Sequence, residues 1–535
     1  MATVTIVVAL LLLVQGTWIL LRRVFSVLDN IPGPSPKSFI TGNLTQYHDP
    51  DGCEFQQDIE ENYGQVVKLH GLFAERELFV FDPAALHSIL VKDQDIYPEM
   101  PKFMSMNYLL QGNGIFSTIG DYHRKFRKIM MPAFSTANLR GMVPLFYDVA
   151  ERARDGLISP RLLDGPQTLD FNSILCRISL ELIGQAGIGY SFDPMLPRQV
   201  QTDQYARSLK DLMPTVFKLA LWLPFLPYIL RIPFPAFRRW MINIIPSPAL
   251  CHLRDLVDFT DGIAIQLVKE RKAAIENGQL DLKDNAKDVM SLLMKGNMTA
   301  QGELHLTDDE LVASTSMIVF AGTDTTSTAL NRLFHILAMY PDVQDKLRAE
   351  ILTVPAQADH DTVVALPYLD AVVREILRLY PPVSPGMYRE AVEHTVLPLS
   401  TPITGKDGVV LDSITVPKGT TIYIAIAAAN HNKQIWGDDA LEFRPERWIS
   451  GKAASPEMKQ CGVYGNMLTF LGGGRSCIGF KFAQLELKVV ACVFLRAFKI
   501  STPDPRVKWR MAGTVGSPNI DNKAELPILV ERLEV

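Results

Sequence analysis

The chain has 535 residues, 47% of them apolar and 21% charged, and a formal net charge of −5. This length and apolar content allow a large buried core, and the acidic balance argues against a nucleic-acid binder, whose footprint is strongly basic. Six cysteines, Cys53, Cys176, Cys251, Cys461, Cys477 and Cys492, are scattered without paired spacing, which reads as reduced thiols rather than a disulfide framework.

Thr5 to Leu21 is almost wholly apolar, interrupted by Gln15, Gly16 and Thr17 and followed by Arg22-Arg23. It is long enough to span a membrane. The basic pair after it orients the N-terminus to the lumen and everything downstream to the cytosol. A cleaved signal peptide is the competing reading, but no small-x-small cleavage site follows and the basic pair suits a stop-transfer signal. Ile31-Pro32-Gly33-Pro34-Ser35-Pro36 makes a stiff, non-helical hinge, since successive prolines fix φ and remove helix donors. We expect an anchor over 1–30 and a single catalytic domain over 31–535. Asn43-Leu44-Thr45 and Asn297-Met298-Thr299 match glycosylation acceptors, which a cytosolic body leaves unmodified.

Along the body, Gln65 to Phe81 alternates apolar and polar residues around Gly71 and predicts short strands or a hairpin, with a helix over Pro83–Val91. Asp121 to Met130 reads as a basic helix with His123 and Arg127 four apart; on such a helix a lone histidine is ordinarily just solvated. Leu212 to Pro248 is rich in aromatics, among them Trp222, Phe225, Tyr228, Phe234, Phe237 and Trp240, which suit either a core or a bilayer interface. Asp309 to Met339 predicts one long helix carrying the polar cluster Gly322 to Ser327, whose glycine and threonines weaken helical geometry so that the helix can open. Taken alone, its Thr and Asp residues are capping or back-bonding groups. Helices follow over Pro341–Ile351 and Leu369–Tyr380. In the second, Glu375 and Arg378 share a face at i,i+3, a spacing that by itself is usually surface decoration. Val409 to Ala427 returns to strand-like composition. The overall class is mainly α with small β-sheets.

The sequence Phe470-Leu471-Gly472-Gly473-Gly474-Arg475-Ser476-Cys477-Ile478-Gly479 precedes Phe480 to Leu495, which has apolar helical spacing. A cysteine so presented sits at a helix N-terminus, where backbone N–H groups and the dipole favour a thiolate. A phosphate cradle would need a G-x-G-x-x-G or Walker spacing that is missing. A zinc site would need ligands nearer than Cys461, 16 residues upstream. A plain buried core cysteine is the remaining alternative.

Phe470, Gly473, Arg475, Cys477 and Gly479 fill every fixed position of F-x-x-G-x-R-x-C-x-G, which resembles the proximal haem loop of the cytochrome P-450 family. The proline hinge, Ala321-Gly322-Thr323-Asp324-Thr325-Thr326, the Glu375/Arg378 pair and the cysteine loop occur in the family's order, so the resemblance covers nearly the whole body. It implies a cytochrome P-450 fold behind an N-terminal transmembrane helix, with haem (heme b) held by the Cys477 thiolate. Gly473 and Gly479 would admit the macrocycle, and Arg475, His123, Arg127 and Arg389 would donate to its propionates. His123 stands where the family often has tryptophan. Asp324 and Thr325 would deliver protons on the oxygen-binding side. Glu375, Arg378 and Arg447, with Arg444 the less favoured third member, would lock the haem pocket through a salt-bridge network. Phe103, Met104, Leu109, Leu110, Phe116, Met317 and Phe320 would line an apolar substrate pocket, roofed by the aromatic segment against the membrane.

The implied function is monooxygenation by O₂ of a lipophilic small molecule, in motif style a terpenoid, sterol or fatty acid of fungal secondary metabolism. No flavin or dinucleotide fingerprint is present, so electrons would come from a separate NADPH–cytochrome P-450 reductase, with cytochrome b5 as a further donor, at the endoplasmic reticulum membrane. Lys125, Lys128, Lys481 and Lys488 would form a basic patch that steers this donor. The rivals are a haem-thiolate isomerase or dehydratase, which needs no electrons, and a non-catalytic haem-binding membrane protein.

Overall fold

The computed structural model describes residues 26–196, 200–277, 288–299, 305–384, 387–451, 454–455, 461–501, 504–512 and 515–533. The apolar segment Thr5 to Leu21 and the Arg22-Arg23 pair lie outside the described residues. Among those described, no single helix is long and apolar enough to cross a membrane.

The elements that position the site are, in chain order, β1 (Val66–His70), β2 (Arg76–Val80), α1 (Gly120–Met130), α2 (Phe171–Leu182), α3 (Val200–Lys218), α4 (Asp308–Met339), α5 (Pro367–Leu379), β3 (Tyr388–Glu390), β4 (Thr421–Ile424) and α6 (Phe480–Ala497). Each has a local reason. The predicted hairpin forms, with Val66 opposite Val80 and His70 opposite Arg76. α1 buries His123, Phe126 and Met130, which fall on one stripe at helical spacing, and leaves Arg124 and Lys128 exposed. α4 starts at a capping box: the Thr307 hydroxyl accepts from Glu310 N at 3.3 Å, and Glu310 Oε2 accepts from Thr307 N at 2.7 Å. α5 opens at a proline, and its next two amides, Tyr368 N and Leu369 N, donate at 2.8 Å to the Glu350 carboxylate. The helix expected over Pro83–Val91 is regular only over Pro83–His87, behind an Asp82 cap, and widens into a π-turn over Ser88–Lys92.

The chain divides into two compact groups of residues. The first comprises 26–100, 385–435 and 456–475 and holds a four-stranded sheet in the order β1-β2-β4-β3. β2 and β4 run parallel with Leu78 beside Ile422, and β3 lies antiparallel at the edge with Arg389 beside Ile422. Val66, Val67, Leu78, Phe79, Ile422 and Ile424 supply its core.

The second group comprises 101–384, 436–455 and 476–535 and is dominated by helices. Phe171 of α2, Phe334 of α4 and Phe494 of α6 meet in one aromatic cluster, with ring centroids 5.5 Å apart between the first two and between the last two. Gly322 lets α4 pack closely, because a Cβ there would lie 2.5 Å from Ile183 Cγ1. α4 is unbroken, so the opening expected at Gly322 to Ser327 is absent; the Thr323 and Thr325 hydroxyls bond back to the carbonyls of Val319 and Ala321 at 2.8 and 2.7 Å.

Behind the cysteine loop, Glu486 of α6 is fully buried and accepts from the Ser179 hydroxyl at 2.7 Å, while its Oε2 has no hydrogen-bond partner among the described residues. Burial pushes this carboxyl from 4.5 up to about 8, so the neutral acid belongs to the fold. A raised acid contributes stability that is fully present below pH 4.5 and is lost as the pH rises through about 8. Glu486→Gln is therefore expected to flatten the decline in urea midpoint between pH 5 and pH 8, and a decline as steep as in the unsubstituted protein would contradict this.

Candidate active site

The cysteine loop begins at Gly473, which has φ +66° and whose Cβ would stand 1.8 Å from the carbonyl oxygen of Leu90 in the π-turn, so only glycine fits. Gly474 N donates to Gln94 Oε1 at 3.1 Å. Gly479 is different: at φ −90° it is the N-cap of α6, and an added Cβ would make only an ordinary 3.7 Å contact with Phe134. Phe470 is buried on the strand Met467–Gly472 that leads into the loop.

Within the first group, Arg389 Nη2 and Arg475 Nη2 converge on opposite oxygens of Glu99, at 3.4 and 3.1 Å. Burial lowers the Arg389 pKa, with Glu99 opposing the shift. The two guanidiniums thus share one carboxylate.

Within the second group, Arg127 of α1 donates to the Ser476 carbonyl at 2.6 Å and to the Ser476 hydroxyl at 2.9 Å, which fixes the residue before Cys477. No carboxylate pairs with Arg127 among the described residues, and burial lowers its pKa. His123, one turn before it, is buried rather than solvated. Cys477 keeps accessible surface, yet protein surrounds it closely enough that burial pushes its thiol up; an N–H of Gly479 donated to the sulfur and the Arg127 charge pull it down. The helix N-terminus alone does not make it a thiolate, and a coordinated cation would. Among the described residues no group of three or more His, Cys, Asp or Glu side chains is placed to hold a metal ion, so the donor set here is one sulfur.

These features fit haem: one accessible thiol at the start of α6, whose sulfur takes a Gly479 N–H, and beside it Arg127, a cation that no carboxylate pairs among the described residues.

On α4, Asp324 and Thr325 are half-buried, as are Phe320, Ala321 and Gly322, whereas Met317 is buried. Burial raises the Asp324 pKa and the Lys210 charge opposes this. Phe103 and Met104 are half-buried, Leu110 is buried, and Leu109 and Phe116 are exposed.

Glu375, Arg378 and Arg447 meet. The Glu375 carboxylate, fully buried, accepts from Arg378 Nε and Nη2 at 2.9 Å each, Arg447 Nε at 2.8 Å, Trp448 Nε1 at 2.9 Å and Arg444 N at 3.1 Å. The side chain of Arg444 turns outward to Asp439, so that residue contributes its backbone alone to the carboxylate. Lys488 does not belong to a surface patch: it is fully buried, with its ammonium on Asp370 Oδ1 at 2.7 Å and the Val364 carbonyl at 3.2 Å. Lys128 and Lys481 are exposed, and Lys125 is drawn to Glu310 and the His305 carbonyl. Nothing in the sequence marks Ser476, Glu99 or Trp448 as partners, because each acts through a contact distant along the chain.

The cytochrome P-450 family model matches residues 32–526. The chain belongs to the cytochrome P-450 family. It is 45% identical over 533 residues to cytochrome P-450 monooxygenase 91 of Postia placenta, covering 97% of each chain, and 41% identical to monooxygenase 81 of the same fungus, covering 94% and 93%. It is also 37% identical to a ganoderic acid synthetase of Ganoderma lucidum, covering 97% and 96%. Membership makes it an enzyme of the monooxygenase class, and the family implies haem iron with thiolate ligation, O₂ and reductase electrons.

Removing one partner of the Glu375 network leaves buried charge unpaired, so Glu375→Ala is expected to cost about 3–5 kcal/mol in urea unfolding. Arg444→Ala, which keeps its backbone donor, should cost under about 1 kcal/mol. Equal effects would show that the carboxylate is not the centre of the network.

Proposed function

We propose that this cytochrome P-450 inserts one oxygen atom from O₂ into a lipophilic small molecule, a terpenoid by preference, with electrons from a separate NADPH–cytochrome P-450 reductase. The observation that carries the reading is Cys477: a single accessible thiol before α6, taking an N–H from Gly479 and with Arg127 beside it. When bound, haem activates dioxygen with two electrons, leaving one oxygen atom in the substrate and the other in water. Cys477 would hold the iron; Arg127, His123, Arg389 and Arg475 would hold the propionates; Gly473, Gly479 and Phe470 would shape the loop. Glu375, Arg378 and Arg447 keep the segment before the loop in place.

Asp324 takes a proton from the solvent side, and Thr325 passes one on towards the reacting oxygen. The Thr325 hydroxyl donates to the Ala321 carbonyl, which leaves its oxygen lone pairs to accept. A haem-thiolate isomerase would have no need of such a pair. Phe103, Met104, Phe116, Met317 and Phe320 are the proposed pocket residues.

The terpenoid class is supported by the apolar character of those residues and by the relative named ganoderic acid synthetase. Membrane attachment rests on two features: the apolar segment before Arg22-Arg23, and the six aromatics Trp222, Phe225, Tyr228, Phe234, Phe237 and Trp240, which are 47% to 66% exposed. We infer a single-pass anchor within 1–30, ahead of Ser26, in the endoplasmic reticulum membrane and one catalytic body on its cytosolic side that takes in Leu28, buried in the core, and Asp29, paired with Lys68 and Arg76. Asn43 and Asn297 are buried and bonded, so neither is open to glycosylation.

The reduced, CO-bound protein is expected to show the red-shifted Soret band of thiolate ligation, and Cys477→Ser should abolish it. A folded, haem-loaded protein without that band would overturn the assignment. With reductase and a triterpenoid scaffold, Asp324→Asn is expected to lower product per NADPH at least ~10-fold while peroxide release rises; unchanged coupling would remove Asp324 from the proton route. Haem binding without oxidised product from any lipophilic scaffold would favour the non-catalytic reading.

A further inference from the structure

Gln111 ends the helix Pro101–Gln111 with its carboxamide inside the protein: the residue is 5% exposed, and neither Oε1 nor Nε2 has a hydrogen-bond partner among the described residues. Phe103, Asn107 and Gln111 recur at every fourth position and so share one side of this helix. Asn107 is satisfied locally, because its amide donates back to the Phe103 carbonyl at 2.9 Å. Gln111 has no such bond, although a buried amide without partners carries a desolvation cost that folded proteins seldom leave uncompensated.

The chain beyond Gln111 settles on α4. A Cβ on Gly112 or Gly114 would lie 3.3 or 3.4 Å from the Ala313 Cβ. One turn further along α4 stands Ser316, whose hydroxyl is likewise buried and without a partner among the described residues. Helix hydroxyls commonly bond back to the preceding turn, and its two predecessors do so: Ser314 donates to the Glu310 carbonyl at 2.7 Å and Thr315 to that of Leu311 at 2.9 Å. Ser316, Phe320 and Asp324 follow one another at four-residue steps on one side of α4. Two polar groups without partners thus lie on the helix sides that carry the proposed pocket residues Phe103 and Phe320.

We propose that Gln111, together with Ser316, is a specificity-determining residue that receives an alcohol of the substrate. A mostly apolar pocket orients its ligand through a few placed polar groups of this kind. The carboxamide presents a donor and an acceptor side by side, and neither it nor the serine hydroxyl is charged. A substrate hydroxyl both donates and accepts, a ketone or ether only accepts, and a hydrocarbon does neither. The substrate class is then a terpenoid alcohol rather than the parent hydrocarbon, and a reaction that installs that hydroxyl precedes this enzyme. This deepens the proposed function and rests on its reading of the apolar pocket.

The test uses the full-length, haem-loaded protein, unsubstituted, as Gln111→Met, which keeps the length of the side chain without its polar atoms, and as Ser316→Ala. The probes are 1-decanol and undecane, slim enough for any apolar pocket, and a triterpene 3-alcohol with its 3-ketone and its deoxy hydrocarbon. Binding is followed by the Soret shift and by the rise in thermal midpoint, and the quantity read is the ratio of alcohol to hydrocarbon affinity, whose change between variants is independent of partitioning from water. Gln111→Met is expected to lower that ratio at least ~10-fold, chiefly by weakening the alcohol, with the ketone affected less. Ser316→Ala should lower it in part. A ratio unchanged by Gln111→Met would overturn the proposal, as would folded, haem-loaded protein that binds none of the probes. Binding needs neither electrons nor O₂, so the two readings separate: the expected ratio without product in the presence of reductase keeps this inference and counts against monooxygenation, whereas oxidised product with an unchanged ratio does the reverse. Should Gln111→Met not fold, Gln111→Leu replaces it under the same criteria.

Discussion

A carboxylate without solvent contact is the constraint on which the helical group depends. Glu375 receives donors from α5 itself and from the largely irregular stretch 436–451, whose regular structure is the short helix Glu446–Ile449. Such a stretch has few internal hydrogen bonds to define it, so its path is set by what it is tied to. The arginines complete the arrangement from the other side: Arg378 donates to the Ala440 carbonyl at 2.6 Å, and Arg447 donates to those of Trp436 and Asp439 at 3.0 and 2.9 Å. Asp439, only half-buried, takes a further bond from Arg447 and also pairs with Arg444, so each buried charge of the network has a partner. Pairing is what makes burial of Glu375, Arg378 and Arg447 tolerable.

Charge is arranged differently beside the cysteine. Arg127 donates to Ser476 and meets no carboxylate among the described residues, so this cation can take an anionic group from outside the chain. The thiol of Cys477 is held above its ordinary pKa, which pairs naturally with a metal whose charge favours the thiolate.

Much of this was legible in the sequence. The long helix was bounded within one residue because Thr307 and Glu310 form a capping box and Pro341 stops it, and the hairpin over residues 66–80 was written in alternation around Gly71. The choice of Arg447 over Arg444 was made from motif order, and the geometry gives a physical reason: Arg444 is spent on Asp439 at the surface. What escaped depended on distant partners. Lys488 looks like any helix lysine until Asp370, 118 residues away, proves to be its counter-ion. Gly322 was read as a weak point, yet it is a contact surface for Ile183, a role that only tertiary packing reveals. His123 reads as solvated because its neighbours Arg124 and Lys128 are, but the apolar stripe of Phe126 and Met130 carries it inward.

The ridge of Trp222, Phe225, Tyr228, Phe234, Phe237 and Trp240 also bears on how the protein is handled. Trimming the leading residues, the usual way to free a tethered enzyme from its bilayer, leaves this greasy ridge uncovered. A shortened form should therefore still collect detergent or stick to itself in solution, because these exposed aromatics belong to the folded body.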